Sequence, residues 1–373
     1  MKKILFGITS LNFGGAERVL IDLANRLCKD YDITILTIYD KGELAKQLNS
    51  KIKLKSIFDR SFKEYSKFEV LLNSFKLMRN IELPDGYDTY ISFLEGPITR
   101  LFAKELKNQK NERINKIKRI AWIHNDISKV FGKNIKARIK LIVDKKIYKK
   151  YDEIIFVSEE NRKDFQKIYG NTVKTKVIRN YLDYSSVIKK ANEPVIMPLD
   201  SNDINLVTVS RLVDQKAIDR FIKVHSQLEK NGLHSKVFVV GDGPNREQLQ
   251  KQIEDLNETE NFFLLGPKEN PYPYIKNADY MCLLSYYEGY GMVLDEAKIL
   301  GKRIIITDTA ARESVEDYER ADILQNTEKG ILEGLTKILN RDISNGKDPN
   351  ERSIEEIKKY YDEIIEKIES IIN

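Results

Sequence analysis

Short apolar, β-branched runs alternate with longer stretches of helical periodicity along the whole chain, a rhythm few architectures accommodate. In the first half the runs are Ile4–Ile8, Ile33–Tyr39, Tyr90–Phe93, Ile120–Ile123 and Ile154–Val157. Between them lie patterns such as Ala16–Cys28, where Val19, Leu20, Leu23 and Leu27 recur at helical spacing. After a break the rhythm restarts with Leu206–Val209, Val237–Val240, Phe262–Leu265, Met281–Leu284 and Ile304–Thr307. Alternation of this kind predicts parallel sheets covered by helices. The break, Tyr184–Asn202, is rich in Ser, Asn, Pro and scattered charge and reads as a linker.

At 373 residues the chain exceeds what one hydrophobic core usually serves, so two domains are expected. The boundaries read as 1–183, a linker at 184–203, a second domain at 204–349, and a terminal segment at 350–373. Within that segment Ser353–Ile372 places Ile354, Ile357, Tyr361, Ile364, Ile365 and Ile368 at helical spacing, as in an amphipathic helix that packs back on the body. Because ligands of open α/β sheets lie beyond the carboxyl ends of the strands, two such domains predict a cleft with both strand ends turned towards it.

Composition excludes several classes. With 41% hydrophobic and 32% charged residues the chain is folded rather than disordered. Its net charge of +6 does not mark a nucleic-acid binder. Two cysteines, Cys28 and Cys282, cannot build a disulfide framework or a zinc site, and both sit among apolar residues as inert thiols. The apolar run Ile4–Ile8 is too short for a signal-peptide core, and no window approaches a membrane span. A cytoplasmic location follows, with attachment to a membrane from that side still open.

The chemistry concentrates at strand ends. Ser285–Thr307 reads as a strand end, a loop carrying Glu288, Gly289, Tyr290 and Gly291, and a helix from about Met292. Amides at such a helix start suit a diphosphate or a sugar hydroxyl. Glu288 and Glu296, with seven residues between them, can accept hydrogen bonds from vicinal hydroxyls, although isolated glutamates are usually solvated surface acids. Arg211 follows the run Leu206–Val209 and Lys216 opens the next helix; guanidinium beside ammonium suits a diphosphate. Gly241-Asp242-Gly243-Pro244 is a glycine turn that falls short of the dinucleotide fingerprint, because Arg246 stands where the third glycine belongs. Gly14 and Gly15 precede the first helix and permit close approach of an anion. Asp30-Tyr31-Asp32 resembles a metal–nucleotide motif but lies at the wrong edge of its sheet.

The order of Gly14-Gly15-Ala16-Glu17-Arg18, Val157-Ser158-Glu159, Asn180 with Asp183, Arg211 with Lys216, Gly241-Asp242-Gly243 and Glu288-x7-Glu296 resembles the retaining nucleotide-sugar glycosyltransferases of family 4. Their fold is GT-B, two facing Rossmann-like α/β/α domains with an interdomain cleft. The wording from Glu288 to Glu313 is most similar to bacterial capsule and exopolysaccharide members.

The resemblance implies a nucleotide-diphosphate sugar, a UDP-sugar above others, with no further cofactor and no metal. It implies that Arg211 and Lys216 hold the diphosphate and Glu296 the ribose. Glu288 would contact the transferred sugar, with the amides of Tyr290, Gly291 and Met292 near sugar and phosphate. Gly241 and Gly243 join the donor set, Gly14 and Gly15 close over the diphosphate, and His124 lies against the donor sugar. Ala217 and Asn125 depart from the usual family residues.

Glu95, at a strand end, is a candidate acceptor contact, with donor contact or a loop role as alternatives. The acceptor would be a glycan or a lipid-linked glycan, as in surface polysaccharide or glycoconjugate synthesis, and no nucleic-acid partner is expected. A nucleotide-sugar 2-epimerase or a catalytically silent membrane-associated subunit are the alternatives. Finally, Lys104–Lys150 carries sixteen Lys or Arg against four Asp or Glu, so the chain is electrostatically polarised. Its lysine-rich part, Lys129–Lys150, is a candidate surface for anionic lipid.

Overall fold

The computed structural model describes residues 1–373 except 13, 62–63, 105–116, 125–134, 199–202 and 346–352. Asn125 and residues 129–134 of the lysine-rich segment therefore lie outside the described residues. The chain forms two compact units, Met1–Asp183 with Tyr361–Asn373, and Tyr184–Tyr360.

The first unit is built on strands β1 (Lys3–Ile8), β2 (Asp32–Thr37), β3 (Lys53–Ser56), β4 (Thr89–Ser92), β5 (Lys118–Ile123), β6 (Glu153–Phe156) and β7 (Lys174–Val177). All pair in parallel in the order β3-β2-β1-β4-β5-β6-β7. The second holds β8 (Ile204–Val209), β9 (Ser235–Val240), β10 (Phe262–Gly266), β11 (Tyr280–Leu283), β12 (Arg303–Thr307) and β13 (Ala321–Leu324). Its order is β10-β9-β8-β11-β12-β13, again wholly parallel. The order in which strands are added therefore reverses beside the first strand of each sheet, between β1 and β4 and between β8 and β11. At such a switch point the loops leaving neighbouring strands diverge and leave room for a ligand. Central strands such as β1, β6 and β11 are buried along nearly their whole length, which explains their continuous apolar reading.

Three strands have no counterpart in the apolar pattern: β3, β7 and β13, each at a sheet edge. Lys53 and Lys55 in β3 and Lys174 and Lys176 in β7 supply the charge that keeps an edge from pairing with another chain. The linker reading of Tyr184–Asn202 needs correction, because its first part is the helix Tyr184–Ala191, with Val187 and Ala191 buried. The terminal helix spans Ile354–Ile372, and its residues from Tyr361 onward belong to the first unit. There Tyr361 meets Tyr181 edge to face at 5.9 Å, and Thr89 donates to the Ile372 carbonyl at 3.4 Å. Ile354 itself is exposed.

In the second unit the loops after β8 and β9 lie main chain against main chain. Leu212 N donates to Asp242 O at 2.9 Å, Asn245 N to Leu212 O at 3.2 Å, and Ser210 N to Val240 O at 3.0 Å. Only glycine permits this approach. A Cβ on Gly243 would lie 2.4 Å from the Leu212 carbonyl oxygen, and one on Gly241, at φ +144°, would lie 1.9 Å from that of Ser210. These are backbone obstacles that no rotamer change relieves. The glycines thus serve first to seat the loop carrying Arg211. Gly243→Ala is expected to lower unfolding free energy by about 2 kcal/mol or more. Urea denaturation of the variant beside the parent chain checks this; an unchanged midpoint would contradict it.

Candidate functional site

Around the β8/β11 switch point the second unit gathers the predicted residues. Beyond β8, Arg211 is exposed and its guanidinium has no ion-pair partner among the described residues. Leu212 is fully buried and anchors the loop. A single 3-10 turn, Asp214–Lys216, then leads through Ala217 into the helix Ile218–Lys230. Ala217 has φ 51° and ψ 37°, the left-handed region. That geometry costs an alanine about 1 kcal/mol and explains why glycine suits this position.

Beyond β11, the loop brings Glu288 to Lys216. The Lys216 ammonium hydrogen-bonds Glu288 Oε2, with the side chains 16% and 12% exposed. Ser285 Oγ donates to the same oxygen at 3.3 Å. Gly291, at φ 70° and ψ 65°, then turns the chain into the helix Met292–Ile299. The amides at this helix start are electropositive by the alignment of its peptide dipoles. Glu296 lies on the second turn, 6% exposed, with Tyr272 Oη donating to its Oε1 at 3.4 Å. Tyr290 is buried, its hydroxyl 3.5 Å from Asp295 Oδ1, so its main chain rather than its ring is offered to a ligand. Arg211, Lys216, Glu288, Gly291, Met292 and Glu296 therefore stand on the loops and helix that follow two adjacent strands.

The first unit assembles a second group at the strand ends beside its own switch point. Gly14 caps the helix Gly15–Leu27 after β1, Glu95 follows β4, and His124 follows β5. His124 N donates to Glu95 Oε2 at 3.2 Å. The imidazole packs against Phe93 at 4.6 Å between ring centroids and lies parallel to Trp122 at 6.2 Å. Its Nε2 is buried with no partner among the described residues. These apolar surroundings hold the imidazole down to about 3, so it is neutral at ordinary pH. Glu17, for which the sequence offered no role beyond its place in a motif, has its carboxyl raised by burial, and repulsion from Glu95 adds to the effect. The positions of Ser285 and Tyr272 as partners of the two site glutamates carry no motif and emerge only from the fold.

Several residues outside these two groups have structural roles. Asp30 pairs with Arg26 at 3.3 Å and Asp32 with Lys53 at 2.9 Å, so the Asp-x-Asp carboxylates are occupied. His225 is buried between Glu258, at 2.8 Å, and the Ser235 carbonyl, at 3.0 Å. His234 is exposed beside Glu229. Both cysteines are buried and free. Ser158 caps the helix Glu159–Tyr169 by accepting from Asn161 N at 3.1 Å, which accounts for the Val157-Ser158-Glu159 motif. Among the described residues no helix is long and apolar enough to cross a membrane.

Two family models cover most of the chain: Glycosyltransferase Family 4 over residues 13–186 and Glycosyl transferases group 1 over residues 189–360. A Campylobacter jejuni N-acetylgalactosamine-N,N'-diacetylbacillosaminyl-diphospho-undecaprenol 4-alpha-N-acetylgalactosaminyltransferase is 26% identical, over 92% of this chain and 91% of its own. A Staphylococcus aureus poly(ribitol-phosphate) alpha-N-acetylglucosaminyltransferase is 24% identical over 60% of this chain and 44% of its own. Among solved structures, Anabaena HepE in complex with UDP and glucose superposes with a TM-score of 0.66 at 19% identity, covering 92% of this chain and 90% of that one. With two parallel α/β units of one strand order and both family models matched, the chain belongs to the family 4 glycosyltransferases and has the GT-B fold.

Proposed function

We propose that this glycosyltransferase is a retaining, metal-independent hexosyltransferase that takes its sugar from a UDP-sugar and adds it to a lipid-linked or polymeric glycan of the bacterial surface. The observation that carries the reading is the Lys216–Glu288 ion pair ahead of the Met292 helix start, with exposed Arg211 on the loop that leads to Lys216 and Glu296 held on that helix. Breaking an anomeric bond develops negative charge on the departing diphosphate and positive charge on the sugar ring. Arg211 and Lys216 neutralise the first without a divalent ion, and the carboxylate of Glu288 orients hydroxyls of the second. Glu296 accepts from the ribose hydroxyls. The turns at Gly241 and Gly243 fix the loop edge on the donor side.

In the first unit, His124 serves the transferred sugar as a neutral ring, Gly14 and Gly15 the diphosphate, and Glu95 the acceptor. Complexes of HepE with UDP support the choice of nucleotide, since that neighbour shares the fold. The relatives named above are alpha-transferases, and a UDP-sugar of alpha configuration giving an alpha product keeps its anomeric configuration. The diphospho-undecaprenol in the Campylobacter relative's name supports a lipid-linked acceptor. Membrane association is part of the same reading. The helix Ile135–Tyr148 exposes Ile142 and Val143, 60% and 42%, next to exposed Lys145 and Lys146.

Arg211→Ala is expected to fold as the parent does, because the side chain is exposed, while kcat/KM for the donor falls by about 10²–10³. Nucleotide release assayed on a panel of UDP-sugars, with melting temperature as control, checks this; near-parental turnover would sink the assignment. The His124 ring is expected to show no protonation step between pH 5 and 8 by NMR. Its contribution to stability, measured against His124→Gln, is complete above about 6.5 and is lost as pH falls towards about 3. The chain is expected to sediment with vesicles rich in anionic lipid at low salt and to be released at high salt. Failure to bind them, or binding indifferent to salt, would remove the membrane from the proposal.

A further inference from the structure

Four consecutive carbonyls of the loop leading to Glu288 are each held by a side chain from a different part of the second unit. Arg220 Nη2, on the helix Ile218–Lys230, donates to Leu284 O at 2.7 Å. Thr307 Oγ1, at the end of β12, donates to Ser285 O at 2.7 Å. Asn326 Nδ2, beyond β13, donates to Tyr286 O at 2.8 Å. Gln215 Nε2, in the 3-10 turn, donates to Tyr287 O at 3.0 Å, and Gln215 O accepts from Tyr286 N at 2.9 Å.

Arg220 ties this set together. It is 5% exposed, its Nη2 also donates to Asn326 Oδ1 at 2.9 Å, and its guanidinium lies 4.3 Å from the centroid of the Tyr286 ring. One planar cation thus holds the main chain before the loop, the side chain that clamps the next carbonyl but one, and an aromatic face. A buried guanidinium is costly, and the same volume filled by an apolar residue would stabilise the unit at least as well. What an apolar residue would not do is fix the path of residues 284–287, and that path decides where Glu288 emerges.

We propose that Arg220 is a positioning residue for the glycosyl transfer, acting through Leu284 O and Asn326 to hold Glu288 at the donor sugar. This rests on the reading that Glu288 serves the donor. Gln215 and Thr307 complete the brace. Lys216 adjoins Gln215 in the same turn, so the brace also sets the register of the Lys216–Glu288 pair.

Two measurements on the full chain test the idea. Arg220→Lys keeps the cation and its stem but loses the planar fork. Amide hydrogen exchange in peptides covering residues 284–291 is expected to quicken by about tenfold or more, with the rest of the second unit unchanged. Release of UDP from UDP-glucose, UDP-galactose and their N-acetylamino counterparts is expected to fall roughly 10- to 100-fold in kcat per folded molecule, while the Kd for UDP itself stays within about threefold. In a Glu288→Gln background the same substitution should cost little more, because its effect runs through Glu288. Asn326→Ala, at a partly exposed position, should give the same pattern at smaller size if Arg220→Lys fails to fold. Unchanged exchange in both variants, or a loss of activity that only tracks the folded fraction, would overturn the proposal, as would full additivity with Glu288→Gln. Undiminished kcat in Glu288→Gln would instead overturn the donor assignment of Glu288 and this kinetic claim with it, and the exchange data would still judge the brace.

Discussion

The ion pair between Lys216 and Glu288 is the contact on which the second unit's arrangement turns. It joins residues 72 positions apart in sequence, and it exists only because β8 and β11 are neighbours across the switch point. Both side chains are largely withdrawn from water, and a pair of that kind gains little stability over an apolar replacement. On the proposed function the pair has a chemical purpose: a carboxylate and an ammonium held a hydrogen bond apart would present both signs where a glycosyl diphosphate separates into both signs. The surrounding devices serve this geometry. The close approach of the Gly241–Gly243 turn seats the loop of Arg211, the left-handed Ala217 ends the turn of Lys216, and Gly291 starts the helix that carries Glu296.

Much of this was legible in the residues. Buried central strands read as uninterrupted β-branched runs, so ten of the thirteen strands among the described residues follow from pattern alone. The unread strands β3, β7 and β13 are edge strands, where lysines or a short, half-exposed run erase the apolar signal. The helix Tyr184–Ala191 was hidden for a related reason. Its two buried residues, Val187 and Ala191, stand in a sequence otherwise typical of a loop.

The site divides in the same way. Arg211, Lys216, Glu288 and Glu296 are recognisable because they stand at strand ends and helix starts in the order that the family resemblance requires, although each alone is an ordinary surface residue. Arg220, Thr307, Asn326 and Tyr272 are not recognisable, because their roles depend on partners 22 to 106 positions away. Glu17 and Glu95 fall between these cases. Each sits near a strand end, yet their mutual repulsion appears only when β1 and β4 are set side by side. The two units share a strand order over six strands and differ in character: one carries an ion pair and a guanidinium with no ion-pair partner among the described residues, the other a neutral imidazole packed on aromatic rings.

The account stands most directly on one measurement, release of nucleotide from a panel of UDP-, GDP- and ADP-sugars by the parent chain and by Lys216→Ala. It predicts that a UDP-sugar is turned over and that Lys216→Ala abolishes that turnover, by about 10²-fold or more after correction for folded protein. Release from none of the sugars, or release undiminished in Lys216→Ala, would contradict it.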